Sequence, residues 1–205
     1  NYPTAILSRN FDRHQALIAR MGISWRPGAR YIEFPDRLID VGTRYPTLSL
    51  DYWQGFPRIL GSDIDFSQWR FSISDGLDAQ LYGNFQYRLV AGGFLRRDSV
   101  AIQDYIHFNG NRGFAATAYL NSFQLLNYYQ YSNTSRFYMQ GHIEHHFNGF
   151  LTNKVPLLRQ LNWHLVAGVN AFYVNRHSRY VEWSAGLENI LKLVRLEFVW
   201  GKESG

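Results

Sequence analysis

The stretch RFYMQGHIEHHFNG, residues 136–149, alternates between apolar and polar side chains along most of its length. Because successive side chains of an extended strand point to opposite sides, the alternation predicts a β-strand with two unlike faces. One face carries, together with Gly141, the apolar residues Phe137, Met139, Ile143 and Phe147. The other face carries Arg136, Tyr138, Gln140, His142, Glu144 and His146. Such a strand suits an antiparallel sheet between a core and water, or a membrane β-barrel with lipid outside and a polar lumen inside.

The same period of two recurs elsewhere and predicts an all-β chain, folded as an antiparallel meander of about eight strands. The other seven segments are 16–25, 47–56, 67–74, 85–95, 163–173, 180–187 and 192–200. Turn-forming stretches such as RPGA at 26–29 and LYGN at 81–84 separate them. Helical periodicity is confined to VPLLRQL at 155–161 and ENILKLV at 188–194, each predicted to form one turn.

Composition removes several classes of protein. No run of about 18 apolar residues occurs, so no transmembrane helix is predicted. The net charge of +5 is spread mostly over single arginines, with only Arg96 and Arg97 adjacent, so no nucleic-acid partner is predicted. The chain has no cysteine and therefore no disulfide or thiol chemistry.

The length of the segments and the position of their aromatic residues favour the membrane barrel. A strand of about 9 to 11 residues crosses a bilayer at a tilt, whereas strands of soluble sheets usually have five or six. Trp and Tyr favour the two membrane interfaces, because each combines an apolar ring with a polar tip. Aromatic residues lie towards the ends of the apolar faces, at Phe85, Phe137, Phe147, Trp163, Tyr173 and Trp200.

A set of separate stretches covers nearly the whole chain and carries a family resemblance. The stretches are WRPGARYIEFPDR, RYPTLSLDYWQG, LGSDIDF, HFNGNRGF, YLNSFQLLNYYQYS, HIEHHFNGFLTNKVPLLRQLNWHLVAGVN and YVEWSAGLENILKLVRLEFVW. In this order they resemble a Bacteroidota outer-membrane family that joins a carboxypeptidase-regulatory-like domain to a large β-barrel of unknown function. The resemblance implies a location in the outer membrane of a Gram-negative bacterium, with outer-membrane lipid as a partner.

That family is in turn distantly similar to the outer-membrane assembly-factor superfamily of barrel-assembly and two-partner-secretion proteins. In the superfamily a long loop with an Arg-Gly-aromatic tip folds into the lumen before the closing strands. Arg112, Gly113 and Phe114 stand at the equivalent place, within residues 98–133, where the alternation is unclear. The resemblance makes these three residues the candidate tip of a luminal loop, with a plain extracellular loop as the alternative.

The resemblance also implies a domain organisation. Residues 1–205 are expected to be the C-terminal portion of a single barrel domain, without its N-terminal half and its closing strand. Alternation then predicts which polar residues face the lumen. They are Arg136, Gln140, His142, Glu144, His146, Glu182, Arg195 and Glu197.

Sequence motifs for chemistry are weak. His142, Glu144 and His146 share one strand face, but the outer two are about 13 Å apart along an extended chain, so lumen lining is favoured over metal binding. Ser135, Ser184 and His164 lack a nucleophile motif, so no enzyme and no cofactor are predicted.

We expect an assembly-factor-like protein that inserts or translocates other proteins, acting with other outer-membrane or periplasmic proteins. The alternatives are a pore or transporter component, and a docking subunit of a surface complex.

Overall fold

A computed structural model of the chain describes residues 14–111, 113, 115 and 119–203. Eight antiparallel strands form one sheet, in the order β1-β4-β5-β6-β7-β8-β9-β10, and β2 pairs with β3 in a separate hairpin. The strands are β1 (Ile18–Trp25), β2 (Arg30–Glu33), β3 (Leu38–Gly42), β4 (Thr47–Gly55), β5 (Asp65–Asp78), β6 (Asn84–Ser99), β7 (Tyr138–His146), β8 (His164–Asn175), β9 (Ser178–Ile190) and β10 (Val194–Glu203). Each of the eight alternating segments therefore corresponds to a strand of the sheet, which confirms the all-β meander.

Two strands are longer than the alternation predicted. The segments 67–74 and 85–95 belong to β5 and β6, which have 14 and 16 residues. The side-chain pattern ends before Gly76 in β5 and before the charged residues Arg96, Arg97 and Asp98 in β6. The pairing continues there because the ladder is made by backbone groups, which glycine supplies as well as any other residue.

Helical structure is sparse. The turn predicted at 155–161 is present as a short α-helix, α1 (Pro156–Leu161). The turn predicted at 188–194 is wrong: β9 continues to Ile190, and positive φ angles at Leu191 and Lys192 form a tight turn into β10. Among the described residues, no helix has the length and apolar character needed to cross a membrane.

The hairpin β2–β3 was not predicted, because its strands are only four and five residues long. It projects from the connection between β1 and β4. Asp40 accepts a hydrogen bond from the Gly42 N–H at 2.9 Å and forms an ion pair with Arg26. The hydrogen bond, followed by the ion pair, lowers the pKa of the Asp40 carboxyl below its usual range.

The apolar face of the sheet is exposed, and the face that carries the charged residues is buried. Apolar residues in register across β7 to β10 lie on the outer face: Ile143, Val169, Trp183 and Trp200. These side chains are 37 to 50% exposed. On the opposite, inner face His142 and Glu182 are fully buried. A soluble one-sided sheet buries its apolar face, so this sheet has the reverse arrangement.

The hydrophobic core lies against the inner face, beneath residues 100–137, which connect β6 to β7 and are called here the covering segment. The covering segment contributes Ile106, Phe108, Phe123 and Leu126 to this core, and each of these side chains is at most 3% exposed. The strands contribute Phe66, Val90, Phe94, Tyr138, Phe172, Val174 and Tyr180. Phe108 stacks on Phe172, with ring centroids 4.0 Å apart. The inner face is therefore partly apolar, which the alternation did not indicate.

Gly93 provides a test of the contact between β6 and the backbone that enters β7. A Cβ atom at Gly93 would lie 2.0 Å from the carbonyl oxygen of Arg136, whereas one at Gly76 would meet only Gln86 Cγ at 3.9 Å. We expect Gly93→Ala to lower the free energy of unfolding by about 1–3 kcal/mol through overpacking. The control Gly76→Ala should stay within about 0.5 kcal/mol of the parent. Denaturant unfolding followed by tryptophan fluorescence measures both, and equal effects would contradict the close approach.

Candidate functional site

The candidate site is the polar part of the inner face together with the covering segment. His142 of β7, Asn170 of β8 and Glu182 of β9 are partners in register. Directly opposed side chains on one face of a sheet are close enough to interact. All three side chains are buried. The strands therefore place one imidazole, one amide and one carboxylate in a row below the covering segment.

Glu182 is the centre of this row. Its Oε1 accepts hydrogen bonds from the Gln124 backbone N–H at 2.7 Å and from Asn170 Nδ2 at 2.9 Å. Its Oε2 accepts from the Leu125 backbone N–H at 3.1 Å and from the Tyr180 hydroxyl at 3.0 Å. A buried carboxylate is tolerated only when hydrogen bonds replace its lost hydration. Two of the four donors belong to the covering segment, so Glu182 fastens that segment to β9.

The hydrogen bonds that lead to Glu182 have a single direction. Asn170 donates its amide N–H to Glu182, so its Oδ1 must accept from His142 Nδ1, 2.8 Å away. A neutral imidazole with its proton on Nδ1 has an acceptor at Nε2, which lies 3.1 Å from Gln140 Nε2. The chain of donors thus runs from Gln140 through His142 and Asn170 to the carboxylate. This arrangement assigns the tautomer of His142 from its neighbours.

A second cluster lies nearer the turn between β9 and β10. Arg195 forms ion pairs with Glu144 of β7 and with Glu197 of its own strand. His146 lies between Glu144 at 3.2 Å and Glu188 at 2.9 Å. Three carboxylates therefore share one guanidinium and one imidazole, which links three strands across the inner face.

The covering segment also contacts this ion cluster. The Arg195 guanidinium lies over the ring of Tyr119, 4.4 Å from its centroid. Stacking a guanidinium on an aromatic ring is favourable when both are shielded from water. The covering segment thus contacts the polar groups of the inner face at Arg195 as well as at Glu182.

The predicted lumen-facing residues fall into three groups. Gln140, His142 and Glu182 belong to the hydrogen-bonded row, and Glu144, His146, Arg195 and Glu197 belong to the ion cluster. Arg136 joins neither, because it is exposed and precedes β7. Their orientation towards a lumen stays a prediction.

The predicted loop tip is only partly described. Arg112 and Phe114 lie outside the described residues. The Gly113 N–H donates a hydrogen bond to Asn111 Oδ1 at 2.8 Å. Its role as a tip also stays a prediction.

Sequence reasoning missed several contributors. Asn170, which bridges His142 and Glu182, is the one amide in LVAGVNAFYV, which has no charged side chain, and could have been noticed for that reason. Glu188 lies on the polar face by its even spacing from Glu182, but it was not among the residues predicted to face the lumen. The backbone donors of Gln124 and Leu125 had no signal in the sequence, because any residue type supplies them.

The histidines and carboxylates of the inner face are not gathered around one point. His142 contacts Asn170, whereas His146 contacts Glu188. Within the described part of the chain, no three histidine, aspartate or glutamate side chains are arranged to hold a metal ion. The geometry instead favours a structural and positioning role for these groups.

Comparison with known proteins finds one family. Residues 1–187 match the model described as "Family of unknown function (DUF5686) C-terminal domain". No curated protein and no solved structure matches the chain.

Glu182→Gln tests the attachment of the covering segment. One carboxylate oxygen becomes an NH₂ group, so two of the four donors lose their acceptor and we expect a loss of about 1–3 kcal/mol in the free energy of unfolding. Limited proteolysis should also cut residues 119–133 faster. The matched control is Glu203→Gln, since the exposed Glu203 accepts one hydrogen bond from Gln130 of the same segment at 2.9 Å. If both variants lose the same stability, Glu182 is not the attachment point.

Proposed function

The chain belongs to the DUF5686 family, as its C-terminal domain, and we propose that this domain is part of the wall of an outer-membrane β-barrel that inserts or translocates other proteins. The observation that carries the proposal is the reversed sheet, with an apolar outer face and charged groups buried on the inner face. A lipid environment accounts for both faces at once, because lipid accepts the apolar side and a barrel interior accepts the polar side.

The dimensions of the strands support the membrane part of the proposal. β8 has 12 residues. At about 3.3 Å per residue such a strand is about 40 Å long, and at a tilt of about 45° it crosses about 28 Å, close to the hydrocarbon thickness of about 30 Å. In water, an apolar face extending over so many strands would be a site of aggregation or of protein contact.

The covering segment supports protein handling over a passive pore. A pore needs a continuous path for water along the inner face. Aromatic side chains of the covering segment occupy that face around Phe172, and Tyr119 lies on it at Arg195. An interior that is occupied in this way has to rearrange before anything passes. This is consistent with the resemblance to assembly factors, which act on client proteins.

Replacing an outer-face residue by arginine tests the lipid contact. Ile143→Arg should lower the free energy of unfolding in lipid by about 2–4 kcal/mol if the position is near the bilayer midplane. Leu193, which is 91% exposed in the turn between β9 and β10, is the matched control. Leu193→Arg should change the free energy by no more than about 0.5 kcal/mol, because a turn lies in water. Small and equal effects at both positions would mean that water, and not lipid, covers Ile143.

Removing detergent from the purified protein is a second test of the lipid contact. The wild-type protein should stay folded in detergent micelles and aggregate when detergent is removed without added lipid, because its outer face would meet water. Size-exclusion chromatography and circular dichroism report both states. A folded, monodisperse protein in plain buffer would place the chain among soluble all-β proteins.

Deletion of the gene tests the handling of other proteins. An assembly factor predicts that several other barrel proteins decrease in the outer-membrane fraction, measured by quantitative mass spectrometry, and that a plasmid copy restores them. A pore predicts an unchanged set of outer-membrane proteins and slower uptake of a small solute. A docking subunit predicts the loss of one fixed set of surface proteins, which purify together with the chain.

A further inference from the structure

A small, largely enclosed cavity lies between strands β5 to β7 and the covering segment. Its volume is about 100 Å³. The polar residues that line it include Arg70, Arg88, His107, Asn109, Tyr138 and Gln140. In the described ranges, no aspartate or glutamate lines it. Neither the hydrogen-bonded row around Glu182 nor the ion cluster around Arg195 accounts for two arginines in this place.

Both guanidinium groups are held in position by uncharged neighbours. Arg70 lies over the ring of Trp53, 5.1 Å from its centroid, and its Nε donates to the Tyr138 hydroxyl at 3.3 Å. Arg88 donates from Nη1 to Asn121 Oδ1. Fixed guanidinium groups present planar pairs of N–H donors, which match the oxygen atoms of an oxyanion.

The two positive charges have no counter-charge among the described residues that line the cavity. Among residues 14–111 and 119–203, neither Arg70 nor Arg88 forms an ion pair. Asp51 is the register partner of Arg70, but its carboxylate pairs with Arg20 at 2.8 Å. Two partly desolvated cations close together are unfavourable unless an anion neutralises them.

The covering segment adds a histidine on the opposite wall. The Ser132 hydroxyl donates to the Tyr129 carbonyl oxygen at 3.0 Å, so His107 Nδ1–H donates to Ser132 Oγ at 2.7 Å. The Nε2 atom of the neutral ring is therefore an acceptor, which can bind the hydroxyl of a protonated oxyanion such as hydrogen phosphate. Asn109 donates to the Asn121 carbonyl at 3.0 Å and keeps the wall of the covering segment in place. A ligand in the cavity would therefore be held by the sheet on one side and by the covering segment on the other.

We propose that this cavity binds a small free oxyanion of the size and charge of inorganic phosphate. A cavity of about 100 Å³ has room for several ordered waters, or for one such ion in their place. Arg70 and Arg88 bind its oxygens, and His107 closes the site from the covering segment. The anion thereby joins the covering segment to β5 and β6. The inference does not depend on lipid at the outer face, because the cavity lies wholly on the inner face.

Titration calorimetry with sodium phosphate, at constant ionic strength in chloride, tests the site on the purified full chain. We expect the wild type to bind, and Arg70→Gln and Arg88→Gln each to bind at least about tenfold more weakly, since each loses charged hydrogen bonds. Arg37→Gln is the matched control, because Arg37 lies in the hairpin β2–β3 beside Phe34. The phosphate affinity of this variant should stay within about twofold of the wild-type affinity. Equal affinity in all four proteins, or no binding by the wild type, would overturn the site.

Asn121→Asp, at a residue that also lines the cavity and whose Oδ1 accepts from Arg88, keeps the assignment testable if an arginine variant fails to fold. It adds a carboxylate of nearly the same shape to the cavity lining, which would neutralise the arginines from within. Phosphate binding should be lost while the melting temperature is kept or raised. A variant that folds and still binds phosphate as the wild type does would contradict the proposal.

The source of the anion is tested by competition. Vesicles containing phosphatidic acid present the same phosphate chemistry on a lipid, which an enclosed cavity should not admit. We expect free phosphate to bind equally well with or without them. If the vesicles displace phosphate from the wild type but not from Arg88→Gln, the cavity binds a lipid headgroup and not a free ion.

Discussion

The arrangement of the sheet and the covering segment depends on the buried carboxylate of Glu182, which needs hydrogen-bond donors from two different parts of the chain. An ionised group that is removed from water costs several kcal/mol unless hydrogen bonds and charges compensate. Here the compensation comes from both the sheet and the covering segment, through Asn170, Tyr180 and two backbone N–H groups. Neither part satisfies Glu182 without the other. The position of the covering segment is therefore tied to the formation of β8 and β9, and the two are expected to form together.

This dependence explains why the core lies on the side of the sheet that carries the charges. Phe108 and Phe123 reach Phe172 because the backbone next to Phe123 is held at Glu182. The hydrogen bonds to Glu182 fix the position of the covering segment, and the aromatic side chains supply apolar area that it buries against the sheet. The outer face takes no part in this core, so its apolar residues remain available for whatever surrounds the protein.

The alternation of the sequence predicted the strands and their faces well, because a period of two follows directly from the geometry of an extended chain. It predicted that His142, Glu144 and Glu182 share a face with one another and not with Ile143. It did not predict that Phe172 would be buried on that same face, since burial there is decided by the covering segment, which has no regular period. The tight turn after Ile190 was mistaken for a helix because ENILKLV spaces its apolar residues as a helical turn does. Contacts between residues far apart in sequence, such as Glu182 with Gln124, have no local pattern from which they could be read.

The hairpin β2–β3 has a further consequence for how this domain can vary. Trp25 at the end of β1 pairs with Leu48 near the start of β4, so the register of the sheet is complete without the intervening residues. The hairpin is a two-stranded unit, and such a unit adds little to the stability of a sheet that it does not join. The entropy of closing a connection grows only slowly with its length. Residues 26–46 are therefore a position at which relatives can lengthen, shorten or replace the connection without shifting any strand, and homologous chains should differ most in length there.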